Sequence, residues 1–203
     1  MSGATMRLFV ALELPPAVRA ALGEVSSRLR PRAAAAGRGL RWTDPAGIHL
    51  TLKFLGEIEA AAVEAIRGAL AGIRAGNPVE VAFRGLGWFP NARHPRVLWA
   101  GVEAGNGLAE LAGEIERVLE PLGIARETRK FEPHLTLARI KSEEGLDELR
   151  REAERLGAPE LGRAAYSEFD LMESRLRPQG AVYTRVERFL FAVSVAAGRA
   201  EER

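Results

Sequence analysis

The stretch His49-Leu50-Thr51-Leu52 returns as His134-Leu135-Thr136-Leu137. The chain of 203 residues holds three histidines and six threonines, so a threonine two places after two of the three histidines is not a matter of chance. Strand geometry gives the pattern its meaning. Side chains at i and i+2 share one face of a strand, so each histidine points with its threonine while both leucines turn to the opposite, core side. Each copy thus presents one imidazole and one hydroxyl together.

The surroundings of the two copies repeat as well. Residues 7–14 read as a strand, and Pro15-Pro16 opens a helix with Val18, Leu22, Val25 and Leu29 at helical spacing. A loop over 31–39 leads to a strand over 48–55 and a helix over 59–73, with Val63, Ile66 and Leu70 on one stripe. Gly76-Asn77-Pro78 breaks that helix, and residues 79–89 follow as a strand interrupted at Gly85 and Gly87. The second pass reads as a strand over 96–103, a helix over 108–119 and a strand over 131–140. A charged helix over 145–156 and strands over 166–172 and 181–195 complete it. The same 85 residues separate His49 from His134 and Glu59 from Glu144.

This order predicts a single domain over 1–203, built from two related halves at roughly 7–90 and 96–195. Strands alternating with helices also suit a parallel sheet. However, two prolines stand where the glycine-rich turn after a first parallel strand is expected. The expected class is therefore α+β, bilobal, with mostly antiparallel sheets and flanking helices in two pseudo-symmetric lobes.

Composition narrows the function. At 47% apolar and 28% charged residues the chain is ordinary globular protein. It has no cysteine, which removes disulfides, thiolate metal sites and cysteine nucleophiles. The net charge of +2 is too weak for nonspecific coating of nucleic acid. The basic residues are nearly all arginine, which suits bidentate phosphate contacts but also reflects an alanine- and glycine-rich composition. No apolar run reaches the length of a membrane span, and the start of the chain lacks a basic leader, so a cytoplasmic protein is expected.

Two imidazoles facing each other across a cleft are the parts for general acid–base catalysis near neutral pH, and two hydroxyls suit the nonbridging oxygens of a phosphate. The competing reading makes both histidines half-buried strand residues of an old duplication. Two histidines without a nearby carboxylate or cysteine make a poor metal shell, so no metal is expected. His94, in a proline-flanked turn, is expected on the surface.

Ile48-His-Leu-Thr-Leu-Lys-Phe-Leu-Gly56 and Pro133-His-Leu-Thr-Leu-Ala-Arg139 resemble the twin motifs of the two-histidine phosphoesterases. The closer resemblance is to the RNA 2′,3′-cyclic phosphodiesterases, also called 2′-5′ RNA ligases. Arg7-Leu-Phe-Val-Ala-Leu12, Phe89-Pro-Asn91, Pro95-Arg-Val-Leu-Trp99 and Glu173-Ser-Arg-Leu176 support it, from about residue 7 to 191. The resemblance implies an active cleft between the lobes. It also implies hydrolysis of an RNA 2′,3′-cyclic phosphate to a 2′-phosphomonoester, with reverse 2′-5′ ligation through the same site. His49 would be the proton donor to the leaving O3′ and His134 the base that activates water. Thr51, Thr136 and Arg139 would hold phosphate oxygens. No cofactor or metal is implied. The expected partners are RNA ends or short oligonucleotides with a cyclic phosphate, met by a monomer without any membrane. An RNA-end-binding module without turnover and a phosphodiesterase of small cyclic nucleotides are the alternatives.

Strict alternation opposes two of these assignments. Arg139 and Phe54 each lie five residues after a motif histidine, which puts them on the leucine face. Arg139 reaches a phosphate only if its strand ends, bulges or twists. Phe54 is a base-stacking candidate or an ordinary core residue. Lys53, four after His49, is expected on the cleft face.

Overall fold

A computed structural model describes residues 4–74, 77–177 and 180–190. In chain order its elements are β1 (Thr5–Glu13), α1 (Pro16–Leu29), β2 (Leu40–Trp42), β3 (His49–Glu59), α2 (Val63–Ala71), β4 (Val79–Phe89) and β5 (Val97–Ala104). Then come α3 (Asn106–Leu119), β6 (His134–Ile140), α4 (Asp147–Leu156), β7 (Glu160–Tyr166), β8 (Glu168–Arg177) and β9 (Gly180–Leu190). The fold is α+β. One sheet has the order β3-β1-β8-β9 and the other β2-β6-β5-β4-β7. Every strand pairing among the described residues is antiparallel.

The two sheet orders run in step, with β3-β1-β8-β9 beside β6-β5-β4-β7. Each sheet borrows from the far part of the chain: β4 pairs with β5, and β8 pairs with β1. The strand that carries His49 is an edge strand of its sheet, and the strand that carries His134 lies one in from the edge of the other. β3 and β6 adjoin where the sheets meet.

Apolar stripes hold the helices to the sheets. Val18, Leu22, Val25 and Leu29 of α1 are all buried, and the helix packs on β7. Leu108, Leu111, Ala112, Ile115 and Leu119 of α3 are buried against β3 and β4. Pro16 suits the first turn of α1 because the amide it lacks would have no intrahelical partner there.

Several boundaries differ from expectation. β3 runs on to Glu59, so α2 starts only at Val63, which is half-buried rather than central to the stripe. The stretch Arg30–Gly39 is not open loop but a series of short helical turns that bury Ala33 and Ala36. β2 and β7 are strands that the pattern did not announce. β7 is rich in Gly and Ala and gains its state from pairing with β4. The expected helix break begins at Gly76, and the last expected strand runs to 195; Gly76 and 191–195 lie outside the described residues.

Candidate active site

Both histidine strands carry a bulge at the same place. Along β3, Thr51 faces Ala11 of β1 and Lys53 faces Val10, leaving Leu52 as an extra residue. Along β6, Thr136 faces Trp99 of β5 and Ala138 faces Leu98, leaving Leu137 extra. In each case the extra residue is the third after the histidine. A bulge sets two residues against one and shifts the alternation that follows. Leu52 and Lys53 therefore both turn inward, as do Leu137 and Ala138. The next residue in each strand, Phe54 or Arg139, returns to the histidine–threonine face and is exposed.

Arg139 thus joins His134 and Thr136 on one face, the condition set for the phosphate contact expected of it. Phe54 joins His49 and Thr51. The residue is 63% exposed, which excludes the core reading. Lys53 is corrected: it leaves the cleft face. Its ammonium is buried, donating to Glu116 Oε2 of α3 at 2.6 Å and to the carbonyl of Ala125 at 2.8 Å. The bulge that exposes Phe54 is what buries Lys53.

His49 is held from several sides. Its Nδ1 lies 2.9 Å from the carbonyl of Gly47. A carbonyl only accepts, so Nδ1 carries the hydrogen and Nε2 is left to give or take a proton. The ring centroid is 4.6 Å from Phe9 and 4.8 Å from Tyr183, the latter edge-on. Phe9 also touches Tyr183 at 5.4 Å and Phe54 at 6.0 Å, so it floors this half of the site. Burial lowers the His49 pKa to about 4; the hydrogen bond to the Gly47 carbonyl opposes it, and the Arg19 charge adds a smaller push downward. The free protein therefore holds His49 neutral at pH 7.

The turn before His49 is itself clamped. Asp44 accepts a hydrogen bond from the amide of Ala46 at 2.9 Å. The Arg19 guanidinium, on α1, donates to the carbonyls of Ala46 at 2.6 Å, Pro45 at 3.3 Å and Ile48 at 3.4 Å. Tyr183 passes close over Gly47: its ring would stand 3.3 Å from an added Cβ, a tight contact that would push the ring outward.

His134 repeats the same hydrogen bond. Its Nδ1 lies 2.8 Å from the carbonyl of Glu132, again two residues earlier, so Nε2 is again the nitrogen left to give or take a proton. Phe89 meets its ring edge-on at 4.9 Å and packs on Trp99 at 5.2 Å. The Trp99 indole lies over Gly87, where an added Cβ would come within 2.1 Å of the ring. Gly87, legible only as a strand interruption, makes room for the support of the second half-site.

His94 lies apart, exposed and 3.2 Å from Glu143. A cavity of about 910 Å³ opens beside Glu13, Arg19, Tyr166 and Arg188 and includes neither motif histidine. Among the described residues no group of three or more His, Asp or Glu side chains is gathered as a metal shell. Arg19, Phe9 and Tyr183 are the residues that the pattern missed. None of them lies at a spacing that ties it to His49.

The LigT-like phosphoesterase model matches residues 12–99 and 101–183. The chain is 37% identical to the RNA 2′,3′-cyclic phosphodiesterase of Aeropyrum pernix over 158 residues, covering 77% of this chain and 89% of that one. It is 37% identical to the protein of the same name from Thermus thermophilus over 198 residues, 91% of this chain and 89% of that one. Among solved structures, E. coli LigT complexed with 3′-AMP aligns at a TM-score of 0.74 and 27% identity, covering 93% of this chain and 99% of that one. A second solved structure, TT0787 of Thermus thermophilus, aligns at 0.71 and 33%, covering 93% of this chain and all 100% of that one.

Proposed function

The chain belongs to the LigT-like phosphoesterases, and from that premise we propose that it hydrolyses RNA 2′,3′-cyclic phosphate ends to 2′-phosphomonoesters. The observation that carries the reading is the duplicated half-site. Each half has an imidazole with Nδ1 tied to the carbonyl two residues earlier, a threonine on the same face, and a bulge that adds one more side chain.

Water attacks phosphorus in line with O3′. His134 Nε2 takes the proton of the water, the P–O3′ bond breaks, and His49 Nε2–H protonates the departing O3′. O2′ stays on phosphorus. The Thr51 and Thr136 hydroxyls and the Arg139 guanidinium bind the nonbridging oxygens, where charge builds in the transition state. Phe54 stacks on the terminal base. No metal or cofactor takes part.

The role of His49 as acid needs a proton that the free protein does not keep at pH 7, since burial lowers its pKa to about 4. The substrate supplies the missing bias. A phosphodiester anion about 4 Å from the ring contributes about 4 kcal/mol at an effective dielectric of about 20. That is about three pKa units in favour of the imidazolium.

The motifs of both half-sites come from one chain, which supports action as a monomer. No helix of the described residues is long and apolar enough to cross a membrane. The reading takes the protein to act in the cytoplasm, on cleaved RNA ends. It also takes 7–90 and 96–195 as related halves of one domain, supported by the matched strand orders.

The test is an oligonucleotide ending in a 2′,3′-cyclic phosphate, incubated with excess chelator. The reading expects a 2′-phosphate product. A 3′-phosphate product would mean a different leaving oxygen, and unchanged substrate with tight binding would mean an end-binding module. Loss of activity on chelation would defeat the metal-free route.

A further inference from the structure

Arg41 and Arg139 stand directly opposite each other in the β2–β6 ladder. Opposed residues of an antiparallel pair share a face, with Cα atoms about 4.5–5.5 Å apart. Both side chains are exposed, whereas the flanking Leu40, Ala138 and Ile140 are buried on the other side. Neither guanidinium has an ion pair or hydrogen bond among the described residues. Elsewhere in the molecule arginines are widely paired: Arg19, Arg67, Arg117, Arg155, Arg185 and Arg188 each meet a carboxylate.

Like charges placed directly opposite on a sheet destabilise it. No carboxylate among the described residues pairs with either guanidinium, and an anion between or along the two would offset their repulsion. Arg139 is the side chain assigned to the cyclic phosphate. Arg41 lies one strand further out, on β2, which among the described residues is the edge strand beside β6. A short ribonucleic chain whose cyclic phosphate rests at Thr136 and Arg139 has its next phosphate one nucleotide to the 5′ side. Two long side chains splaying from neighbouring strands cover such a step.

We propose that Arg41 binds the phosphodiester 5′ to the terminal nucleoside, so that the site favours an RNA end over a free cyclic mononucleotide. The inference rests on the diesterase reading above and adds to it the basis for choosing a polymer substrate. It commits to a single backbone contact rather than a long basic track, in keeping with the small net charge of +2. One such contact is enough to select a dinucleotide end. A charge-assisted bond to phosphate is among the stronger hydrogen bonds, and arginine makes it bidentate.

The experiment compares the parent protein with Arg41→Ala and Arg41→Lys on two substrates: a dinucleotide ending in a 2′,3′-cyclic phosphate, and a 2′,3′-cyclic mononucleotide. For Arg41→Ala the expected result is an approximately tenfold rise in KM for the dinucleotide with kcat within about twofold. Its turnover of the mononucleotide stays within about twofold, which also certifies the fold. The salt dependence of log KM for the dinucleotide loses about 0.7 in slope, as for one phosphate contact on a single strand. Arg41→Lys keeps the slope and part of the affinity.

Equal losses on both substrates would overturn the proposal, since Arg41 would then serve the reacting phosphate or the fold. No loss on either would overturn it as well. If the parent turns over neither substrate, the diesterase reading fails. Equilibrium binding then decides Arg41 alone, with a dinucleotide 2′-phosphate and a nucleoside 2′-phosphate as probes. A preference for the dinucleotide that vanishes in Arg41→Ala sustains the contact, and a preference that survives refutes it.

Discussion

Phe54 and Arg139 are counterparts: each stands five residues after its histidine, and each is turned onto the histidine face by a bulge whose extra residue, Leu52 or Leu137, is the third after that histidine. The two histidine strands share the backbone device and differ in the side chain it presents. One bulge presents an apolar ring and the other a cation. A nucleotide end has both a base and a phosphate to receive them.

Phe54→Ala should therefore weaken substrate binding without weakening the fold. The residue is 63% exposed, so removing its ring forfeits little burial. Stacking of a base on an aromatic ring is worth roughly 1–3 kcal/mol. The expected outcome is a KM at least about fivefold higher and an unchanged melting temperature, with Phe54→Trp restoring KM. Steady-state kinetics beside thermal denaturation checks it.

Lys53 tests the opposite consequence of the same bulge. Its ammonium is 2.6 Å from Glu116, and the two side chains are 3% and 18% exposed. Breaking a buried pair leaves an uncompensated charge and costs about 3–5 kcal/mol, whereas replacing both partners with apolar groups is often nearly neutral. Lys53→Met should lower stability by that order, and Lys53→Met with Glu116→Leu should recover most of it. Denaturant titration of the parent, the singles and the double variant gives the comparison.

Arg19 clamps the turn that leads into His49, so its loss is expected to reach the reaction through that turn. Arg19→Met removes the donors to the carbonyls of Pro45, Ala46 and Ile48 that hold the entry to His49. A misplacement of about 1 Å at a reacting group costs about 100-fold in rate. We expect kcat to fall by about that factor while KM moves little. A purely structural role would lower the melting temperature and leave the kcat of the folded fraction unchanged.

The half-buried His49 also sets an acid limit on stability. Its pKa falls from 6.5 in the unfolded chain to about 4 in the folded one, chiefly through desolvation. Between those values the unfolded state binds more protons, so stability rises with pH across the window and is lost as pH falls through it. More than about one unit above pH 6.5 the ring is neutral in both states and contributes no slope. Between pH 7 and 5 the loss from this group is about 2 kcal/mol. His49→Gln should lose about that much less than the parent over the same interval, by urea titration at the two pH values.

The repeated tetrapeptide shows that two strands pair an imidazole with a hydroxyl, and the apolar spacing of α1 and α3 is visible in the residues themselves. The bulges are not. Leu52 and Leu137 look like ordinary alternating core leucines, and nothing in their identity says that the next residue also turns inward. Alternation therefore misplaces Lys53 and argues against Arg139. The supports of the histidines are hidden for a different reason. Tyr183 reaches His49 from β9 across β8 and β1, and Arg19 reaches its turn from α1; both contacts are long-range and leave no local pattern. β7 owes its strand state to its neighbour β4 rather than to its own residues.

The central claim is that the two imidazoles divide one reaction, with His49 protonating the leaving O3′ and His134 activating water. The most direct measurement is hydrolysis of a cyclic phosphate whose 3′ bridging oxygen is replaced by sulfur, a leaving group that departs without a proton. Single-turnover rates on it are compared with rates on the oxygen substrate for the parent, His49→Ala and His134→Ala. The account predicts that His49→Ala, inactive on the oxygen substrate, regains most of the parent rate on the sulfur one, while His134→Ala stays inactive on both. Rescue of His134→Ala instead, or of neither variant, would contradict it.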